Sequence, residues 1–302
     1  MKGELLAMGR LVGRSLRIFL RDKVGVFFSL LAQLIVLLLY VLFLGEVQMS
    51  SAEAALQGVP VEENVLRAFV DGWMLAGVMA VSCITVSFSA QNIMIADRER
   101  NVLSDILVSP VGRQTVTFAY FVSNVVVTAV ICLVVLAVSF GYLAFSGWYL
   151  SAGDVFGILG LTLLSVLSAA LISTLVCSFF KSTNAHGAFV GILSAAIGFL
   201  TGAYMPISVF PTAVQYLVLF IPGTYSAGAF RNLFMSGALS EIAASVPPAA
   251  EGLREGFSMN MDFFGATIGL GEMLWIFAGT VLLFLAIDLL VHFVRRSSKQ
   301  RS

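Results

Sequence analysis

The chain has 302 residues, 59% of them hydrophobic and 11% charged, and its 17 basic and 17 acidic side chains cancel to a formal net charge of zero. So much apolar side chain is hard to reconcile with a soluble globular domain, and no nucleic-acid partner is expected. The three cysteines, Cys83, Cys132 and Cys177, fall inside apolar runs at unrelated spacings, which suggests neither a disulfide framework nor a metal site.

The first 23 residues read as a helix. Leu5, Leu6, Met8, Leu11, Leu16 and Leu20 interleave with Arg10, Arg14, Arg17 and Arg21, whose spacings of four, three and four put them in one stripe. Such a helix either lies flat in the inner headgroup layer, arginines toward phosphates, or serves only to anchor the first apolar run. Six stretches of about 20 residues or more then run almost without charge. They cover residues 24–44, 69–96, 115–143, 155–180, 186–205 and 267–293, the last containing Asp288. Twenty apolar residues of helix cross a hydrocarbon core, where backbone groups must be satisfied within the helix. The first run has no small-residue cleavage signature after it and reads as a retained span.

Charge in the connections sets the expected threading. With a cytoplasmic N-terminus, 14 of the 17 basic residues lie inside and only Arg67, Arg231 and Arg254 outside, among the acidic loops. Basic residues concentrate on the cytoplasmic side, so both termini are expected there, with six crossings. The loop at 45–68 is short and acidic, broken by Pro60. The one at 206–261 is partly apolar, with Val209 to Leu219 and Tyr225 to Leu239 too short to cross and Pro206, Pro211 and Pro222 breaking any continuous helix. The first of these pieces is expected to dip into the outer leaflet and return.

Between the second and third spans, Asp97-Arg98-Glu99-Arg100 is followed by Val102, Leu103, Ile106 and Leu107 and then by Ser109-Pro110. This pattern gives a short amphipathic helix over 97–110 that sets an apolar face against a cytosolic partner, or else a solvated loop. The arginine-striped N-terminal helix, this inner segment and the region from Leu200 to Arg231, with Gly202, Pro206, Pro211, Pro222 and Arg231 at matching positions, resemble the integral membrane subunits of type-2 ABC exporters. The resemblance covers nearly the whole chain, although the family's acidic-plus-glycine pairing in the inner loop is replaced here by Glu99-Arg100.

The resemblance implies a single transmembrane domain over 1–302, an all-α integral membrane protein of six helices. An interfacial helix would occupy 1–23, a coupling segment 97–110, and a re-entrant helical hairpin the connection 206–261 between helices five and six. It implies pairing with a second permease copy or close paralogue in a bacterial or archaeal plasma membrane, in contact with lipid. A cytoplasmic ABC ATPase subunit would supply ATP and magnesium, since this chain carries no G-x-x-x-x-G-K-[ST] run and no cofactor of its own is expected. Glu99, Arg100, Leu103, Ile106 and Leu107 would couple to that ATPase. Gly202, Pro206, Pro211, Pro222 and Arg231 would form the outer gate.

Two rival classes remain. An ion-coupled carrier needs an ionisable group at membrane depth, and only Asp288 qualifies, four residues before His292 on the same helical face; Asp71 and His186 lie at span edges. An intramembrane serine hydrolase would have to use Ser178 or Ser182 with His186, without an oxyanion loop. The two histidines lack a third ligand for a metal. Span two carries Gly77, Ser82, Thr85, Ser87, Ser89 and Gln91, and span five carries Gly187, Gly191, Ser194, Ala195, Gly198 and Gly202. Small and hydroxyl residues permit close helix packing and favour an amphipathic, lipid-linked or drug-like passenger over a small ion.

Overall fold

The computed structural model describes residues 2–56, 59–108 and 111–299, with backbone alone at residues 2, 28–32, 43, 107, 289 and 291–299. Helix α1 (Lys2–Arg21) ends where Asp22 accepts a hydrogen bond from the Gly25 amide (2.9 Å) and caps α2 (Lys23–Leu39). This cap satisfies a first-turn donor and separates the amphipathic helix from the apolar one. A five-residue π-helical turn, Tyr40–Leu44, joins α2 to α3 (Gly45–Ala55). The two apolar stretches Gln33–Leu42 and Gly45–Ala55 are bent by 59° across it. A π turn supplies the physical cause of such a kink.

Helix α4 (Glu63–Ala90) continues after a break at Gln91 as α5 (Asn92–Glu99), and α6 (Val102–Val108) follows. Helices α7 (Arg113–Ser146), α8 (Ala152–Cys177) and α9 (Thr183–Leu200) complete the central bundle. Helix α8 opens on a capping box in which Ser151 and Asp154 each bond the other's backbone amide (2.9 and 3.2 Å). The segment after α9 holds α10 (Thr212–Val218), α11 (Pro222–Phe234), α12 (Ser236–Ser245) and α13 (Pro247–Gly256). A small antiparallel hairpin, β1 (Met261–Phe263) with β2 (Ala266–Ile268), precedes α14 (Leu270–Lys299).

Five stretches are long and apolar enough to cross a membrane: Glu63–Glu99, Arg113–Ser146, Ala152–Cys177, Thr183–Leu200 and Leu270–Asp288. The bent α2–α3 pair makes a sixth when it is counted as one span. The chain is therefore an all-α, multi-span membrane protein. One detail differs from the expectation. The last apolar helix begins at Leu270 and not at Thr267, because Phe264 and Gly265, at φ of 53° and 88°, turn the preceding residues into the hairpin. The apolar piece from Tyr225 to Leu239 is two helices, divided at Met235.

Helix α4 is the axis of the bundle, packed against α7, α8, α9 and α11 and buried on almost every side. Its small residues make this possible. A Cβ on Gly72 would stand 2.8 Å from the Phe234 carbonyl oxygen, and one on Gly77 would stand 2.9 Å from the Ala203 methyl. Its hydroxyls turn back on its own backbone, Ser82 to the Val78 carbonyl (2.6 Å) and Thr85 to that of Val81 (2.9 Å). Lower on the helix, Ser87 and Gln91 enter a buried network with Asn124, Ser173 and Thr174, at 2.8 to 3.4 Å. These two side chains fasten α4 and α5 to α7 and α8, whereas Ser89 is exposed and borders a cavity. Gly237 likewise lies against the Tyr149 carbonyl, whereas Gly279 on α14 has no neighbour within 4 Å. Gly237→Ala is expected to lower the thermal midpoint in detergent by the equivalent of about 1–3 kcal/mol, since backbone must shift, while Gly279→Ala leaves it unchanged.

Candidate functional site

Three consecutive charged side chains close α5, and each is bound to a different element. Asp97 receives both Arg14 guanidinium nitrogens (2.6 and 2.9 Å) and the Tyr120 hydroxyl (2.6 Å), joining α5 to α1 and α7. Arg98 donates to the carbonyls of Ser178 (2.9 Å) and Phe180 (2.6 Å), just past the end of α8. Glu99 accepts from the Thr183 amide (3.1 Å) and hydroxyl (2.7 Å), at the first turn of α9. The signs suit the helix ends: a cation meets the orphan carbonyls after α8, an anion the orphan amides opening α9. The paired Asp97 also raises the Arg14 guanidinium further above its usual pKa, so this charge persists at any physiological pH.

Beyond the junction, Asn101 adopts φ 60° and turns the chain into α6. Asparagine tolerates this left-handed conformation better than most residues. Leu103 and Ile106 are half-buried against the cluster of Phe88, Ile95, Val116 and Tyr120, so the apolar face of α6 packs on the chain itself. Ser104, Asp105 and Val108 are the outward residues, with Val108 88% exposed. The Leu107 side chain, Ser109 and Pro110 lie outside the described residues. Arg100 is exposed and borders a cavity of about 650 Å³ between α1, α2, α5 and α9. Among the arginine stripe, Arg10, Arg17 and Arg21 are exposed beside Leu5, Leu6 and Leu20, and Arg14 alone is committed to the junction.

At the other end, Arg231 is fully buried with backbone carbonyls as its partners. It donates to Gly202 (2.5 Å), Thr201 (3.0 Å) and Ser258 (3.3 Å), and its guanidinium lies 5.8 Å from the centre of the Trp73 ring. The carbonyls at the end of α9 carry partial negative charge, which accommodates the cation without a carboxylate. Gly202, at φ 70°, is the left-handed residue that ends α9, and a Cβ there would stand 2.8 Å from the Arg231 guanidinium. Pro206 precedes a short 3-10 turn (Ile207–Val209), Pro211 precedes α10 and Pro222 opens α11. Sequence brings these five residues into one region, and the structure joins Gly202 and Arg231 directly.

The sequence profile described as ABC-2 type transporter matches residues 7–235, from α1 to the end of α11. The chain belongs to the ABC-2 type transporter family. A comparison with curated proteins finds no match. Family membership accords with a transport subunit that is not itself an enzyme, and both the junction and Arg231 lie within the matched span. His186 donates through Nε2 to the Phe88 carbonyl (3.1 Å) and packs edge-on to Phe180, so its bonded partner is backbone and not a serine. Asp71 is bound by Tyr142 (3.3 Å) and Ser146. Asp288 is half-buried, and its proposed pairing with His292 falls outside the described side chains.

Sequence reasoning named Glu99 and missed Asp97, Tyr120 and Thr183 as partners. No local pattern signals them, because Arg14 and Asp97 are 83 residues apart. Removing one partner of a half-buried ion pair leaves the other uncompensated. A double-mutant cycle of Arg14→Ala and Asp97→Ala, read by unfolding in detergent, is expected to give a coupling of about 1–2 kcal/mol.

Proposed function

We propose that this chain is the membrane-spanning permease of an ATP-driven exporter. It pairs with a second copy or a close paralogue, and a separate cytoplasmic ABC ATPase holds the ATP and magnesium and drives it. The observation that carries this reading is the junction at residues 97–99, which links one short exposed helix to α1, α7, the end of α8 and the start of α9. A push on α6 therefore reaches four elements through short hydrogen bonds. The ATPase contacts the outward face of α6, at Ser104, Asp105 and Val108, with Glu99 and Arg100 at its rim. Leu103 and Ile106 hold α6 to the bundle.

Both termini are cytoplasmic in a bacterial or archaeal plasma membrane. Helix α1 lies along the inner headgroup layer, with Arg10, Arg17 and Arg21 toward lipid phosphate, supported by its exposed leucines beside exposed arginines. The second copy packs along α9, where Gly187 and Gly191 have no atom of this chain within 4 Å and allow close approach of a facing helix. The connection after α9 forms a re-entrant outer gate. Helix α10 spans about 10 Å, too short to cross. The Thr224 hydroxyl donates to the Val218 carbonyl (2.7 Å) and lies 3.2 Å from the Leu200 carbonyl, a contact between the start of α11 and the end of α9 that supports a returning chain. The passenger is amphipathic, lipid-linked or drug-like.

Co-expression with the cognate ATPase is expected to yield a 2:2 complex. Val108→Asp would place an unpaired charge in the contact, lowering ATPase co-purification and export together by about tenfold or more, with no change in the permease's own melting. Leu103→Asp would instead destabilise the permease. Full assembly with Val108→Asp would show that the face of α6 is not the contact. Single cysteines at Ser208, Glu241 and Glu255 are expected to react with an impermeant reagent outside intact cells, and those at Asp105 and Arg113 only after permeabilisation. Opposite labelling of Ser208 and Glu241 would show a further crossing between them.

A further inference from the structure

Three buried polar atoms without a hydrogen-bond partner belong to residues that line one slot between α2, α4 and α9. They are Gln33 Oε1, the Tyr40 hydroxyl and Trp73 Nε1, on residues 7%, 3% and 1% exposed. The slot measures about 70 Å³ and has otherwise apolar walls such as Val36 and Val78. Gln33 Nε2 donates to the Thr85 hydroxyl (3.1 Å), and whichever way the amide is set, one of its polar atoms is left over. Gln33 and Tyr40 lie on one face of α2, about 10 Å apart along it. The π-helical turn beginning at Tyr40 lies at the outer end of the slot, and insertions of this kind recur at functional sites.

Burying a donor or acceptor without a partner is unfavourable, and of the five such atoms among the described residues, which include Ser178 Oγ and Arg231 Nε, three belong to residues that line this one slot. We propose that this slot binds the uncharged, hydroxyl-bearing end of an amphiphile. A hydroxyl oxygen accepts, so it answers the Tyr40 and Trp73 donors at one end of the slot, and Gln33, about 10 Å away along α2, offers a second polar contact to an amphiphile that carries a further hydroxyl. No acid or base lines the slot, which disfavours a charged head. The half-exposed Ser194 and Tyr204 mark the side where the apolar tail leaves. Arg231, over the Trp73 ring, stands outside the lining and fixes the indole plane. As a substrate site the slot rests on the exporter reading; as a binding site it does not.

The test uses the full chain with its ATPase in nanodiscs, photolabelled with a hexadecanol carrying a diazirine beside its hydroxyl and, separately, with the matching hexadecanoate. Mass spectrometry is expected to find the alcohol label concentrated at Val36, Met74 and Val78. The double variant Tyr40→Phe, Trp73→Phe, which keeps aromatic rings at both positions, is expected to reduce it about tenfold, the loss of two neutral hydrogen bonds. The carboxylate should label the slot weakly. Alcohol label spread evenly over lipid-facing positions such as Trp275 and Leu282 would overturn the proposal. So would slot label that the double variant leaves unchanged, since apolar fit or water would then explain the cavity. Slot labelling without ATPase assembly would support the site and overturn the exporter reading, while assembly and export with an unlabelled slot would do the reverse.

Discussion

At the C-terminal end of α5 the buried Asp97 has to be satisfied away from water, and its bonds, with those of Arg98 and the exposed Glu99, tie the bundle together. Asp97, Arg98 and Glu99 are adjacent in sequence, yet successive helical positions point about 100° apart, so they reach three different neighbours. An alternating run that reads as a solvated loop is thereby a three-way clamp. Two of the contacts are made to helix ends, whose orphan amides and carbonyls would otherwise need water.

The opposite end of the bundle solves a comparable problem with one cation. Arg231 holds the end of α9, the start of the segment after α13 and, through Trp73, the axis helix α4. A buried arginine bonded to carbonyls alone is replaceable by no other side chain of similar reach, because lysine lacks the planar fork. Gly202 is the complement of that choice: the space beside its Cα is what the guanidinium occupies.

Between these ends, α4 is nearly all protein-facing, and its glycines let the end of α11 and the turn after α9 approach closely. A helix clamped at both ends and packed along its length transmits displacement as a rigid rod, because close-packed interiors deform little. The one loosened seam is toward α2, where the π turn, the bend and the three unpaired polar atoms coincide.

The sequence by itself determined the membrane class, the five or six long apolar helices and the breaks at Pro206, Pro211 and Pro222. Those depend on hydrophobic length and on proline's missing amide, which are local properties. It also singled out Arg231 and Glu99 as residues worth explaining. Tertiary structure alone decided their partners, because Arg14 meets Asp97 and Arg231 meets Gly202 across 83 and 29 residues that no periodicity connects. It likewise turned Leu103 and Ile106 inward, since the apolar face of a short helix is satisfied equally well by its own bundle or by another protein, and only packing distinguishes the two. Gln33 and Tyr40 were visible as polar residues in the first apolar run, but that Trp73 joins them at one cavity comes only from how α2 lies against α4.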